Sequence, residues 1–243
     1  SIMGVGAAIL GYQNDYVDSA VVECIKKGVQ TSLNSYTEML LAEKLLEHHP
    51  WFDMVRYARS GGEAMTMAVR LSRASTGRDI VLFNGYHGWF DWYLAANIEN
   101  SSNLNQHLMG GLEPIGVDQN LQGTSIGFLN SEIENLESLH DLNKVAAIVI
   151  EPARGYELEK NNLTNLRNLC DKYGIVFIYD EITSGFRETI GGYHKKFQVK
   201  PDIAVFAKSM ANGYAMSCVM GIKDVMKTAE KAFISSTNWT ESI

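Results

Sequence analysis

The sequence is short of several features that would each have fixed a function class. It has three cysteines in 243 residues, Cys24, Cys170 and Cys218. The count is odd, the spacing is wide and no C-x-x-C occurs, which argues against a disulfide framework and against a structural zinc site, so no metal is expected. Reduced cysteines in a cytoplasmic protein are the simplest expectation. There are only four prolines, and no internal repeat or low-complexity linker divides the chain. No apolar run approaches the ~20 residues needed to span a bilayer. The opening "SIMGVGAAILGY" has no basic region before its apolar stretch and makes a poor signal peptide. Net charge is −7, with no basic cluster. That argues against nucleic acid or an acidic membrane surface as the main partner. Also missing are G-x-G-x-x-G and the Gly-Lys-Ser/Thr of a P-loop, which counts against a plain nucleotide-binding domain.

With 46% hydrophobic and 20% charged residues, the chain has an ordinary globular composition. Its length fits one large α/β domain. Short apolar runs predict seven strands: 54–58, 79–83, 125–129, 145–150, 175–179, 202–206 and 217–221. Between and before them, helical spacing predicts helices near 17–28, 37–49, 62–75, 131–140, 162–173 and 223–232. Fully apolar strands alternating with helices predict a mainly parallel sheet covered on both faces. The segment 97–123, rich in Asn, Gln and Gly, is predicted to be irregular.

In an open α/β sheet, ligands bind beyond the carboxyl ends of the strands. Five strand exits carry suggestive residues: "RSGGEA" after 58, "NGYHGW" after 83, Glu151 after 150, Asp180-Glu181 after 179, and Ala207-Lys208 after 206. Only a parallel topology would bring them to one edge. Gly61 and Gly62 open a predicted helix; free backbone N–H groups and the positive helix end suit a phosphate. The same residues also read as an ordinary helix start capped by Ser60. Lys208 is either a solvated loop cation or a partly desolvated amine reactive toward aldehydes. Asp180 either pairs with Lys208 as a structural ion pair or holds a protonated ring nitrogen.

One cofactor would need lysine, carboxylate and phosphate cup together: pyridoxal 5′-phosphate. Tyr86 and Ile182 are the candidates for the two faces of its ring. His87 reads most simply as a core histidine, and the aromatics from Trp89 to Tyr93 as core or subunit interface. Arg154 and Arg187 are candidate carboxylate clamps or structural residues.

The motifs "SGGEAMTMAVRLSRASTGRD", "GYHGWFD", "EPARG", "DEITSGFR" and "FAKSMANGY" resemble, in content and order, the class III pyridoxal-phosphate-dependent aminotransferases, near the glutamate-1-semialdehyde 2,1-aminomutase branch. The resemblance covers nearly the whole chain. It implies a fold-type I enzyme with a seven-stranded, mostly parallel sheet flanked by helices, working as a homodimer with the active site at the interface. It implies Lys208 as the Schiff-base lysine and Asp180 as the partner of the pyridine nitrogen. Gly61 and Gly62 would sit at the phosphate, Gly62 standing where many relatives carry threonine. Tyr86 and Ile182 would flank the ring, with Glu151 near its hydroxyl side. Thr237, in "SSTNW", would reach the phosphate of the neighbouring subunit. Residues 1–243 would form the large cofactor domain, without the family's N-terminal segment and C-terminal small domain. The implied reaction moves an amino group from an amine or amino acid to a keto or aldehyde acceptor. A non-catalytic cofactor-binding fragment, or racemase or decarboxylase chemistry on the same fold, are the alternatives.

Overall fold

All seven expected strands form and join one sheet. The computed structural model describes residues 2–107, 110–154 and 158–243. Its strands are β1 (Met54–Ala58), β2 (Ile80–Asn84), β3 (Ser125–Gly127), β4 (Val145–Ile150), β5 (Val176–Asp180), β6 (Ile203–Phe206) and β7 (Ser217–Gly221). They lie in the order β1-β7-β6-β5-β4-β2-β3. Neighbours from β3 through β6 are parallel. β7 alone runs against its neighbours, inserted between β6 and β1.

Burial on both faces explains the near-continuous apolar runs. Every residue of β4 is buried, and alternate residues feed different cores. On one face Val149, Ile178 and Val205 pack with Ala64, Met65, Ala68 and Val69. On the other, Ile148, Phe177 and Tyr179 pack with Leu163, Leu166 and Cys170. Each large apolar side chain so buried contributes about 1.5–3 kcal/mol relative to exposure.

Among the described residues, four helices reach 13 residues or more: α1 (Asp15–Lys27), α2 (Tyr36–His48), α3 (Gly61–Thr76) and α4 (Lys160–Tyr173). Their sequence signals are local. The side chains of Asn14, Ser35 and Ser60 accept from the amides of Val17, Glu38 and Glu63 at the first three starts. Gly77 and Gly174 end α3 and α4 in the left-handed conformation that glycine adopts without a Cβ clash.

Two expected helices form only in part. Residues 130–139 make a 3₁₀ turn, Asn130–Asn135, and one α-turn, Leu136–Leu139; the Asn and Ser side chains there compete with the backbone for hydrogen bonds. Residues 223–230 divide into Lys223–Met226 and a 3₁₀ turn, Lys227–Glu230. The Thr228 hydroxyl lies within hydrogen-bond reach of the carbonyls of Val225 and Leu71, which tightens the helix at that point. The described part of 97–123 has no strand and only short turns of helix, as its composition predicts.

Two histidines set the acid limit of this packing. The His49 Nδ1–H donates to the carbonyl of Leu45 at 2.7 Å, with its ring against Trp51, Phe52 and His194. His107 lies against Phe83 and accepts from the amide of Gly85. Burial, the largest cause for both, pushes each from 6.5 down to about 4. Between those values the unfolded chain binds a proton that the native one refuses. Stability is therefore full above pH 6.5 and lost as pH falls toward 4, at up to about 1.4 kcal/mol per pH unit for each histidine. Urea midpoints measured from pH 7 to 5 should fall; a flat profile would contradict this account.

Candidate active site

The five strand exits meet. Because β1, β2, β4, β5 and β6 run the same way, their carboxyl ends share one edge, where a cavity of about 350 Å³ opens. Gly61, Gly62, Tyr86 and Glu151 line it. So do Asp180, Ile182 and Lys208. Seven of the eight residues expected at the site thus converge, although they span 148 positions (208 − 61 + 1). Thr237 is the exception: it stands outside the cavity, opening a short turn, Thr237–Thr240, with its carbonyl accepting from the Gln30 side chain.

α3 begins at the cavity wall. Gly61 and Gly62 occupy its first turn, where a helix has no internal acceptor for its amides. Their lack of side chains is a matter of space. A Cβ on Gly61 would stand 2.7 Å from Ile182 Cδ1, and one on Gly62 would stand 2.5 Å from the Phe90 ring. The Phe90 ring thus stands where a threonine side chain at 62 would have to go. The result is a backbone-walled cradle with a positive end, suited to an anion.

The two adjacent carboxylates part company by strand alternation. Asp180 follows Val176 and Ile178 toward the α3 face, whereas Glu181 follows Phe177 and Tyr179 to the other. Asp180 lines the cavity. The His87 Nδ1–H donates to its Oδ2 at 2.8 Å, and the Ile182 amide donates to its Oδ1 at 3.0 Å. The ion-pair reading of Asp180 with Lys208 is not what forms; the partner is His87. Glu181 is fully buried and accepts from Ser184, the amides of Tyr193 and His194, and the His194 ring. Burial alone would raise its pKa, but the hydrogen bond and charge of His194, joined by Ser184, bring it below the usual carboxylate range. Glu181 anchors the 181–194 segment and does not line this cavity.

Lys208 is half-buried at the cavity floor, and its Nζ donates to Thr183 Oγ1 at 3.0 Å. Burial first, and the charge of Arg154 second, lower its pKa from 10.5, against the pull of Glu151 and Asp180. A larger fraction of neutral, nucleophilic amine follows. Its backbone has φ 47°, a left-handed conformation that costs a side-chain-bearing residue about 1–2 kcal/mol.

Glu151 closes the wall beside Tyr86. The Tyr86 amide donates to Glu151 Oε2 at 3.2 Å, and Arg154 stands 3.5 Å from Oε1. Burial, then repulsion from Asp180, raise the pKa of Glu151. The tight turn before Tyr86 rests on Gly85, whose φ is 112° and whose added Cβ would stand 2.6 Å from Glu151 Cβ. Gly85→Ala is expected to destabilise the fold by about 3 kcal/mol, from backbone strain and overpacking together; a shift below 0.5 kcal/mol in urea unfolding would contradict this. Arg187 is occupied structurally, donating to the carbonyls of Gly6 and Thr183.

Comparison with known proteins agrees with this geometry. The family model for aminotransferase class-III matches residues 1–239. The chain belongs to the class-III aminotransferase family. It is 34% identical over 247 aligned positions to 3-aminobutyryl-CoA aminotransferase of Cloacimonas acidaminovorans, covering 98% of this chain and 56% of that protein. It is 35% identical to glutamate-1-semialdehyde 2,1-aminomutase of Wigglesworthia glossinidia brevipalpis, covering 91% and 52%. Among solved structures, an omega-transaminase from Sphaerobacter thermophilus superposes with a TM-score of 0.86 at 28% identity, over 99% of this chain and 58% of that one. The chain spans about half the length of the curated relatives it matches.

Class-III aminotransferases use pyridoxal 5′-phosphate, and the cavity residues fit that group. The helix start at Gly61 and Gly62 has no room for side chains and presents backbone to the cavity, the Asp180 carboxylate lines the cavity, and the Lys208 amine has a reduced hold on its proton. Nothing in the sequence alone marks His87 as the partner of Asp180 or Thr183 as the partner of Lys208. Both lie within motifs already singled out, "GYHGW" and "DEITSG". A polar side chain one or two positions from a candidate ligand is the only signal that could have marked them.

Proposed function

We propose that this chain is the cofactor-binding part of a class-III aminotransferase or aminomutase, moving an amino group between an amine or amino acid and a keto or aldehyde acceptor. One observation carries the reading: Lys208, Asp180 and the Gly61–Gly62 helix start open onto one cavity. When bound, pyridoxal phosphate supplies an electron-withdrawing ring conjugated to an aldehyde carbon, which acidifies a substrate C–H.

The chain's own residues do the rest. The amides of Gly61 and Gly62 receive the phosphate at the positive end of α3. Tyr86 and Ile182 flank the ring and exclude water from its faces. Asp180 would keep a proton on the ring nitrogen, and His87 holds Asp180 by donating to its Oδ2. Lys208 Nζ would hold the aldehyde end, and its amine would carry a proton to and from the substrate carbon that bears nitrogen. Thr183 receives a hydrogen bond from the Lys208 amine and orients it. Thr237, outside its own cavity, contributes to the phosphate site of a second copy in a homodimer.

Titrating purified chain with pyridoxal phosphate tests the reading. A visible absorption band saturating at one cofactor per chain, and bleached by an amino donor, is the expected result. No band at saturating cofactor would overturn it. A band that no amine bleaches would support a second reading, a non-catalytic cofactor-binding chain.

A further inference from the structure

Arg154 has no role in the function proposed above, yet it touches two of that site's residues. Its guanidinium lies over the Tyr86 ring, 4.9 Å from the centroid. Its NH1 stands 3.5 Å from Glu151 Oε1. The triangle closes through the Tyr86 amide, which donates to Glu151 Oε2 at 3.2 Å. Arg154 does not line the cavity, whereas Tyr86 and Glu151 both do. Its NH1 is buried and has no aligned hydrogen-bond acceptor among the described residues. An arginine that only decorated a surface would leave that group in water. An arginine that clamped substrate would reach the cavity.

We propose that Arg154 is a positioning residue, locking the ring of Tyr86 and the carboxylate of Glu151 into one unit beside Lys208. Planar guanidinium suits this task, because it stacks on an aromatic face while pairing a carboxylate from its edge. Two effects follow. The Tyr86 ring is held in the plane that a flat ligand would meet. The positive charge also offsets Glu151, which would otherwise favour the charged ammonium at Lys208.

Four charged groups act on the Lys208 amine. Arg154 and Glu151 come from the exit of β4, Asp180 from the exit of β5, and Arg187 from the segment after it; the Thr183 hydroxyl is its hydrogen-bond partner. Arg154 lowers the amine's proton affinity more than either carboxylate raises it. Removing its charge therefore raises the Lys208 midpoint whether Glu151 stays ionised or takes up a proton.

This inference rests on the reading of Lys208 as the cofactor-bearing amine, but its test needs no cofactor. Competitive acetylation of the cofactor-free chain across pH, followed by peptide mass, reads Lys208 directly. Arg154→Gln and Arg154→Met should each move its midpoint up, making the amine less reactive than the parent's at a fixed pH below the midpoint. Arg154→Lys, which keeps the charge, should stay within a few tenths of a unit of the parent, and it should bind pyridoxal phosphate several-fold more weakly because the stacked plane is lost.

Neutral variants with the parent midpoint would overturn the proposal. So would equal shifts in all three variants, which would report general disturbance. Loss of the fold in both neutral variants would make Arg154 a stability residue and overturn it as well. If pyridoxal phosphate failed to bind while the midpoint still followed residue 154, the functional reading would fail and the positioning role would stand.

Discussion

Lys208→Ala is expected to lower amino transfer by about 10⁴-fold with the fold intact. The size follows from losing both a nucleophile and a proton carrier, since proton transfer by a positioned group alone contributes about 10²–10⁴. The intact fold follows from the structure. Among the described residues the Lys208 amine makes one hydrogen bond, to Thr183, and burial already disfavours its charge. Removing it leaves the neutral Thr183 hydroxyl at the edge of an open cavity and no buried charge unpaired. The free energy of urea unfolding should change by less than about 1 kcal/mol. Initial rates at saturating cofactor, beside the unfolding curve, check both halves. Retained transfer would assign the chemistry to another lysine.

Asp180→Asn is the second large effect. The amide keeps the carboxylate's shape, but its one oxygen can accept from either the Nδ1–H of His87 or the amide of Ile182, not both, and it carries no charge. It cannot hold a proton on a ring nitrogen. By comparison with other preorganised electrostatic groups, the turnover rate should fall by about 10³-fold. His87→Gln should cost about tenfold: His87 lines the cavity, but its hydrogen bond goes to Asp180, fixing one of the carboxylate's oxygens. Equal losses in the two variants would mean that His87 touches the reacting groups itself. An unchanged rate for Asp180→Asn would remove the carboxylate from the mechanism.

The sheet was legible in the sequence because nearly every strand is apolar along its length, which only a sheet covered on both faces requires. The site was legible for a related reason. Once strands are parallel, residues after each run must share an edge, so Glu151, Asp180 and Lys208 could be grouped with no spacing rule. What could not be read is direction and partnership. Nothing in "SCVMG" says that β7 runs against β6 and β1. Nothing local to Asp180 says that its partner is His87, 93 residues earlier. Glu181 looked as available for chemistry as Asp180. Its fate is decided by Tyr193 and His194, 12 and 13 residues downstream, which fold back onto it. The partial helices at 130–139 and 223–230 failed for a third reason. Periodicity marks a face, but Asn, Ser and Thr hydroxyls and amides decide whether the backbone stays α-helical along it.

Borohydride reduction of the cofactor-saturated chain, followed by peptide mass mapping, reaches the central claim most directly. The expected outcome is one stable adduct, on the peptide that carries Lys208, with the remaining lysines unmodified. An adduct on a different lysine, or none after saturation, would contradict the assignment of the cavity.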